Sequence, residues 1–246
     1  MKAVVLGGTS GMGRCIAQLL AERGDSVFLL GIGDAELGRS AADLSVRSAN
    51  KQTVGYATLD LEKPEGFATA LDAADTALSG FDTVIVSAAL FATQEALEND
   101  IELTRRLVTV NYANTVVFCE HVRKRLLARG GGRLTVFSSV AGDRGRKPVA
   151  IYGSSKAGLS VYLEALDHKF YDAGLRVLCV KPGFVKTAMT AGLKPPPFAG
   201  EPEQVAKLVV RAMDQGKPII YAPRIWWLIL FVIRMLPRFV MRKINF

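Results

Sequence analysis

The sequence predicts an α/β fold: one domain on a doubly wound parallel sheet with helices on both faces. Three observations carry this. Short β-rich apolar runs alternate with helical patterns, the order that a parallel sheet requires. The first run, Ala3–Leu6, passes through a glycine-rich turn, Gly7-Gly-Thr-Ser-Gly11-Met-Gly13, into a helical pattern. The 246 residues, half of them hydrophobic, suffice for one core and contain no repeat, low-complexity tract or linker composition.

Each element has a local reason. Strand, glycine turn and helix together aim backbone N–H groups and a helix N-terminus at a pyrophosphate, and glycine is needed where the backbone turns tightly against a ligand. The spacing is G-x-x-x-G-x-G rather than the commoner G-x-G-x-x-G, and Ile16, Leu19 and Leu20 line one face of the helix that follows. Ser26–Leu30 is the second strand. At its end an acidic residue would favour NAD and a basic one NADP, but Gly31-Ile-Gly33-Asp34 gives neither signal. Asp34 is expected to be the N-cap of a helix through Leu44, with Arg39 deep inside it. A third strand, Thr53–Leu59, ends at Asp60, which is placed either to bond an adenine amino group or simply to make a turn.

Pro64–Ser79 reads as helix, with proline in the first turn where its missing N–H costs little. Strand Asp82–Ser87 runs into Ala88-Ala89, small enough for a cofactor to lie close. Ile101–Ala128 reads as one long helix whose apolar face is interrupted by Asn111, either a packing or kink residue or a water ligand beside the site, and Gly130-Gly-Gly132 stops it. Strand Leu134–Phe137 leads to Ser138-Ser139, and helix Val149–Tyr171 follows. Strand Leu175–Val180 opens into Pro182-Gly-Phe-Val-Lys-Thr187, where Thr187 sits at a strand end suited to the nicotinamide. Ala188–Glu203, containing Pro195-Pro-Pro197, is expected to be a substrate lid, followed by helix Glu203–Gln215 and strand Lys217–Tyr221.

The chemistry concentrates at Tyr152-Gly-Ser-Ser-Lys156. A spacing of four residues places phenol and ammonium on one helix face, a turn apart. A phenol is a poor acid at neutral pH, but a cation beside it stabilises the phenolate and moves its pKa toward the working range. Lys156 would supply that cation. Ser139 would hold a substrate oxygen against Tyr152, which would donate a proton as hydride reaches the carbon.

Composition narrows the setting. Cys15, Cys119 and Cys179 are odd in number and widely separated, which suits a reducing compartment and argues against disulfides or a metal site. His121 and His168 have no metal-ligand partner nearby in the sequence and read as structural or surface residues. Met1-Lys2 leads at once into a strand, leaving no room for a signal peptide, so a cytoplasmic protein is expected. The net charge of +8 could suggest nucleic acid, yet no acidic residue follows Gln215 while six cations do, so the basic character belongs to the tail and no nucleic acid partner is expected.

With these residues assembled, the chain resembles the short-chain dehydrogenase/reductase family, with a Rossmann fold, over about residues 2 to 222. The motifs are Gly7-x-x-x-Gly11-x-Gly13, Asp60, Asn111, Ser139, Tyr152-x-x-x-Lys156 and Pro182-Gly183 with Thr187. The resemblance implies a catalytic tetrad of Asn111, Ser139, Tyr152 and Lys156, with the asparagine anchoring a water. It implies NAD(H) or NADP(H) as cofactor, held by Gly7, Thr9, Ser10, Gly11, Met12 and Gly13, by Asp60 and Leu61 at the adenine, and by Ala88, Tyr152, Lys156, Pro182, Gly183, Val185 and Thr187 toward the nicotinamide. The family's usual Asn-Asn-Ala-Gly after the fourth strand is replaced by Val86-Ser-Ala-Ala89, which leaves the strand-stabilising asparagine without a counterpart. Gly7-Gly-Thr-Ser, Val110-Asn-Tyr, Tyr152-Gly-Ser-Ser-Lys-Ala-Gly158, Tyr221-Ala-Pro, Leu236-Pro-Arg and Arg242-Lys are similar to the bacterial members that reduce decaprenylphosphoryl-2-keto-ribose.

Residues 223–246 form a tail with its own signal. Ile225–Ile233 is nine residues of unbroken apolarity, too short to span a bilayer, followed by Arg234, Arg238, Arg242 and Lys243. Paired tryptophans, an apolar run and basic residues suit an anchor on an anionic membrane surface, and equally a homo-oligomer contact or a cover over the site. The reading is an NAD(P)-dependent ketone reductase or alcohol dehydrogenase with a hydrophobic or lipid-linked substrate. The alternatives are a soluble 3-oxoacyl or small-ketone reductase and, in another class, a non-catalytic dinucleotide sensor, which only the altered Val86-Ser-Ala-Ala89 segment favours.

Overall fold

The structure, a computed structural model, describes residues 1–49 and 52–244. Seven parallel strands form one sheet in the order β3-β2-β1-β4-β5-β6-β7: β1 Lys2–Leu6, β2 Ser26–Gly31, β3 Val54–Thr58, β4 Thr83–Val86, β5 Gly132–Phe137, β6 Leu175–Pro182 and β7 Ile219–Ala222. The chain moves outward from β1 to β3, then returns to lay β4 on the other side of β1. That reversal opens a crevice at the carboxyl ends of β1 and β4, the place where doubly wound sheets bind ligands.

The strands are apolar throughout because both faces are covered. Alternate residues go to opposite sides: Val4, Leu6, Phe28, Leu30, Val84, Val86, Leu134 and Val136 enter one core, while Ala3, Val5, Val27, Leu29, Ile85, Leu178 and Val180 enter the other. Helices α3 (Phe67–Leu78), α6 (Thr115–Ala128) and α7 (Ala150–Phe170) cover the first face, and α1 (Gly11–Arg23), α2 (Asp34–Arg47) and α8 (Pro202–Asp214) the second. Phe67 and Phe118 are fully buried and meet edge to face at 5.5 Å, a contact whose truncation to alanine costs about 3–5 kcal/mol per ring.

Several boundaries differ from expectation for local reasons. Gly33, at φ 84°, occupies the cap of α2, so Asp34 is its first residue rather than its N-cap, and the helix continues past Leu44 to Arg47. Pro64 opens a short 3₁₀ turn, Pro64–Gly66, before α3 begins. A short helix α4, Gln94–Asn99, precedes α5, Ile101–Val108. The stretch expected as one long helix is continuous but not uniformly α: between α5 and α6 the backbone widens to π geometry over Thr109–Asn114. Ala188–Glu203 holds one 3₁₀ turn, Ala188–Thr190, before α8 starts.

After β7 the tail forms α9, Ile225–Met235, and α10, Arg238–Met241. The inner face of α9 is buried: Trp226 and Leu230 form a third cluster with Val140, flanked by Phe184, Tyr221 and Ile229. Two cations of the loop after β5 fasten the tail, Arg144 donating to the Leu236 carbonyl at 2.8 Å and Lys147 to the Arg242 carbonyl at 2.7 Å.

Candidate active site

The first glycine turn sits over the crevice between β1 and β4. Gly7 and Gly11 take left-handed φ values of 85° and 52°, which let the turn close between strand and helix. A Cβ on Gly13 would lie 2.2 Å from Ser87 Oγ and 2.3 Å from the Gly7 carbonyl oxygen, so the start of α1 is packed directly on the turn. A Cβ on Gly7 would meet the Ala88 backbone N at 2.7 Å. Ser10 caps α1 in extended conformation without a side-chain cap bond, so the helix N-terminus faces the crevice with amides free of that competitor. Thr9 is half-buried beside exposed Ser10, whereas the Met12 side chain packs against the core under the sheet. These residues fit the pyrophosphate of a dinucleotide.

The segment that departs from the family pattern supplies its own brace. Ser87 donates to the carbonyls of Leu6 at 3.0 Å and Gly7 at 3.2 Å, tying the end of β4 to the turn. Sequence reasoning registered only the missing asparagine. The signal for Ser87 was a hydroxyl at a strand end facing a glycine turn. Gly13→Ala should therefore lower stability by about 1–3 kcal/mol through overpacking and weaken dinucleotide binding; calorimetry of the variant, with and without cofactor, checks both.

Tyr152 and Lys156 project from α7, and Ser139 caps the short turn after β5, its hydroxyl accepting from the Ala141 amide at 3.1 Å. The Ser139 hydroxyl lies near enough to the Tyr152 phenol to act against the rise in its pKa, so the two groups expected to converge are neighbours. Phe91 meets the Tyr152 ring edge-on at 5.3 Å. Lys156 is 2% exposed and lies beneath, its ammonium 5.8 Å from the centre of the Tyr152 ring and donating to the Phe137 carbonyl at 3.0 Å. Ser138 fixes α7 by donating to the Lys156 carbonyl at 2.8 Å.

Electrostatically, burial dominates over the lysine's charge. It pushes the Tyr152 phenol up to about 12, opposed only by the bond from Ser139. The same burial pushes Lys156 down to about 8. The sequence argument had the cation lowering the phenol's pKa; here Lys156 donates to the Phe137 carbonyl and burial of the phenol acts in the opposite direction. A protonated phenol near a serine hydroxyl is arranged to give a proton to an oxygen seated between them.

Asn111 lies in the π segment, a geometry that often marks functional positions, and is buried. Its amide closes on Leu90, accepting from the Leu90 N–H at 2.7 Å and donating to the Leu90 carbonyl at 2.8 Å. It therefore clamps the segment after β4, the packing role that the sequence offered as one alternative.

The outlying residues divide. Thr187 packs on the glycine turn, its Cγ2 3.4 Å from where a Gly11 Cβ would stand. One carboxylate oxygen of Asp60 accepts from the Glu62 amide at 2.9 Å, the turn-forming alternative. Leu61 and Val185 do not present side chains to the crevice: both are core residues, and their carbonyls are taken by Asn114 at 2.6 Å and Thr190 at 2.7 Å. Pro182 ends β6, and Gly183 must lack a side chain because the Trp226 indole fills the space a Cβ would need.

A buried network went unforeseen. Asp143, in the turn after Ser139, receives Lys181 Nζ at 2.5 Å and the Tyr221 hydroxyl at 2.6 Å, joining the serine loop to the ends of β6 and β7. Burial and the carboxylate push the Tyr221 phenol up.

Comparison with known proteins is decided by one match: a family model described as short chain dehydrogenase covers residues 1–197. The chain belongs to the short-chain dehydrogenase family. It is an oxidoreductase whose cofactor is a nicotinamide dinucleotide, NAD(H) or NADP(H). Among its relatives, an uncharacterized oxidoreductase of Mycobacterium tuberculosis is 31% identical over 240 residues, covering 98% of this chain and 95% of that one. An uncharacterized oxidoreductase of Myxococcus xanthus is 32% identical over 222 residues, covering 90% and 87%. Among solved structures, a short-chain type dehydrogenase/reductase of Mycobacterium ulcerans superposes with a TM-score of 0.80 at 23% identity, covering 89% of this chain and 86% of that one. A variant actinorhodin polyketide ketoreductase with NADPH gives 0.79 at 23%, covering 89% and 94%. Both share the fold.

Proposed function

We propose that this short-chain dehydrogenase reduces a ketone on a hydrophobic or lipid-linked substrate. The observation that carries it is the Tyr152 phenol brought near the Ser139 hydroxyl among apolar groups: Phe91 on the phenol, and Val140, next to the serine, clustered with Phe184 and Trp226. In this reading the bound dinucleotide supplies hydride. Ser139 donates to the carbonyl oxygen, Tyr152 delivers the proton as negative charge develops there, and Lys156 keeps the end of β5 in register by its bond to Phe137. Asn111 and Asp143 hold the flanking loops rather than touching the substrate. The resemblance of the tail motifs to reductases of a decaprenylphosphoryl keto-sugar supports a polyprenyl-phosphate sugar as the substrate class. Homo-oligomer formation belongs to the same reading, since Val108, Val117 and Val161 leave apolar surface exposed on α5, α6 and α7.

The experiment is turnover on matched ketones with short and long apolar chains, with NADH and NADPH each titrated by nicotinamide fluorescence. A kcat/KM that rises at least tenfold from the short to the long ketone is expected, each buried CH₂ contributing about 0.8 kcal/mol at most. Equal values would favour a small-ketone reductase.

A further inference from the structure

Going beyond the choice of ketone, we propose that α9 and α10 dock the protein onto an anionic phospholipid surface. Their inner face is already occupied by Trp226, Leu230 and Ile233 packed on the protein itself. The outer face is apolar and exposed: Trp227 (56%) and Phe231 (54%) stack at 5.8 Å, beside Leu228, Val232, Met235 and Phe239. A surface of this kind on a helix too short to cross a bilayer suits burial at the level of the headgroups.

Charge identifies the occupant. Two clefts flank the tail, and neither has an acidic residue in its lining. One, of about 450 Å³, is lined by Arg144, Lys147, Arg238 and Arg242 around Met241. The other, of about 670 Å³, is lined by Arg211, Lys217, Arg224 and Arg234 and reaches Trp227. A second protein copy presenting this same face would bring cations against cations, whereas anionic headgroups neutralise both clefts while acyl chains receive Trp227 and Phe231. The tail's hold on the loop after β5, through Arg144 and Lys147, places that surface beside the serine loop of the site.

The test is co-sedimentation of the full chain with vesicles of phosphatidylcholine alone and of phosphatidylcholine mixed equally with phosphatidylglycerol, at low and high salt. Binding to the mixed vesicles only, weakened by salt, is expected. The double variant Arg238→Gln with Arg242→Gln should bind about thirtyfold more weakly. Trp227→Ala with Phe231→Ala should also bind more weakly, while turnover on a soluble ketone stays unchanged in both. Because these side chains point outward, unchanged unfolding temperatures are expected and would exclude misfolding. Failure to sediment with mixed vesicles, equal binding to neutral vesicles, or a dimer in the ultracentrifuge that dissociates on Trp227→Ala would each overturn the proposal. None of these readouts depends on which ketone is reduced.

Discussion

Tyr152→Phe should lower kcat by about 10²–10⁴-fold, the usual contribution of a positioned general acid. The substitution removes one oxygen and leaves the ring on Phe91. Ser139 keeps its bond from the Ala141 amide, so the stability change should stay near 1 kcal/mol. Dinucleotide affinity should be unchanged, because the loss falls on the step in which charge develops on the substrate oxygen and not on cofactor binding. Stopped-flow turnover beside a fluorescence titration separates the two. Turnover within threefold of the parent would remove Tyr152 from the chemistry.

Lys156→Met should change the pH dependence of stability. Burial holds the folded-state pKa of Lys156 at about 8, against an ordinary value of 10.5. Between those values the unfolded chain binds a proton that the folded chain does not, so stability rises with pH across this window and the penalty is fully present below it. At 1.36 kcal/mol per pKa unit the rise amounts to about 3 kcal/mol, taken as an upper figure. Tyr152 works in the opposite sense only above its ordinary value of 10, where its raised pKa makes the folded state the better proton binder. Urea unfolding from about pH 7.5 to pH 10 should therefore show the parent gaining stability relative to Lys156→Met. Parallel curves would mean that the ammonium is solvated. At neutral pH the variant loses the buried charge but also leaves the Phe137 carbonyl unpaired, and the two effects offset each other.

Much of this architecture was legible because it is local. Apolar strands, a glycine turn and proline or glycine at helix ends each write their reason into a few neighbouring residues, and the nearness of Ser139 to Tyr152 followed from a hydroxyl at a strand end and a phenol on the next helix. What stayed hidden depends on residues far apart in sequence. Asp143 reads as an ordinary turn aspartate until Lys181 and Tyr221 arrive from two later strands. Leu61 and Val185 turn their side chains into the core, so only their backbones are left to meet a cofactor, which motif spacing does not reveal. The π segment around Asn111 was hinted at by an asparagine on an apolar face, yet a widened turn and a plain helix share the same residue types. The phenol's pKa moved opposite to expectation because desolvation depends on everything packed around a group, and one neighbouring cation does not outweigh it.

The seat of Trp226 on Gly183 has a consequence for how the C-terminal segment can be removed. Severing the chain beyond Ala222 would uncover Val140 and the glycine at the tip of β6, wetting a wall of the reaction chamber. Such a shortened enzyme would forfeit activity for reasons of architecture, whatever its surroundings. Under the proposed docking, anchorage and the wall of the site would share one helix on opposite sides, and only changes confined to its outward half can tell them apart.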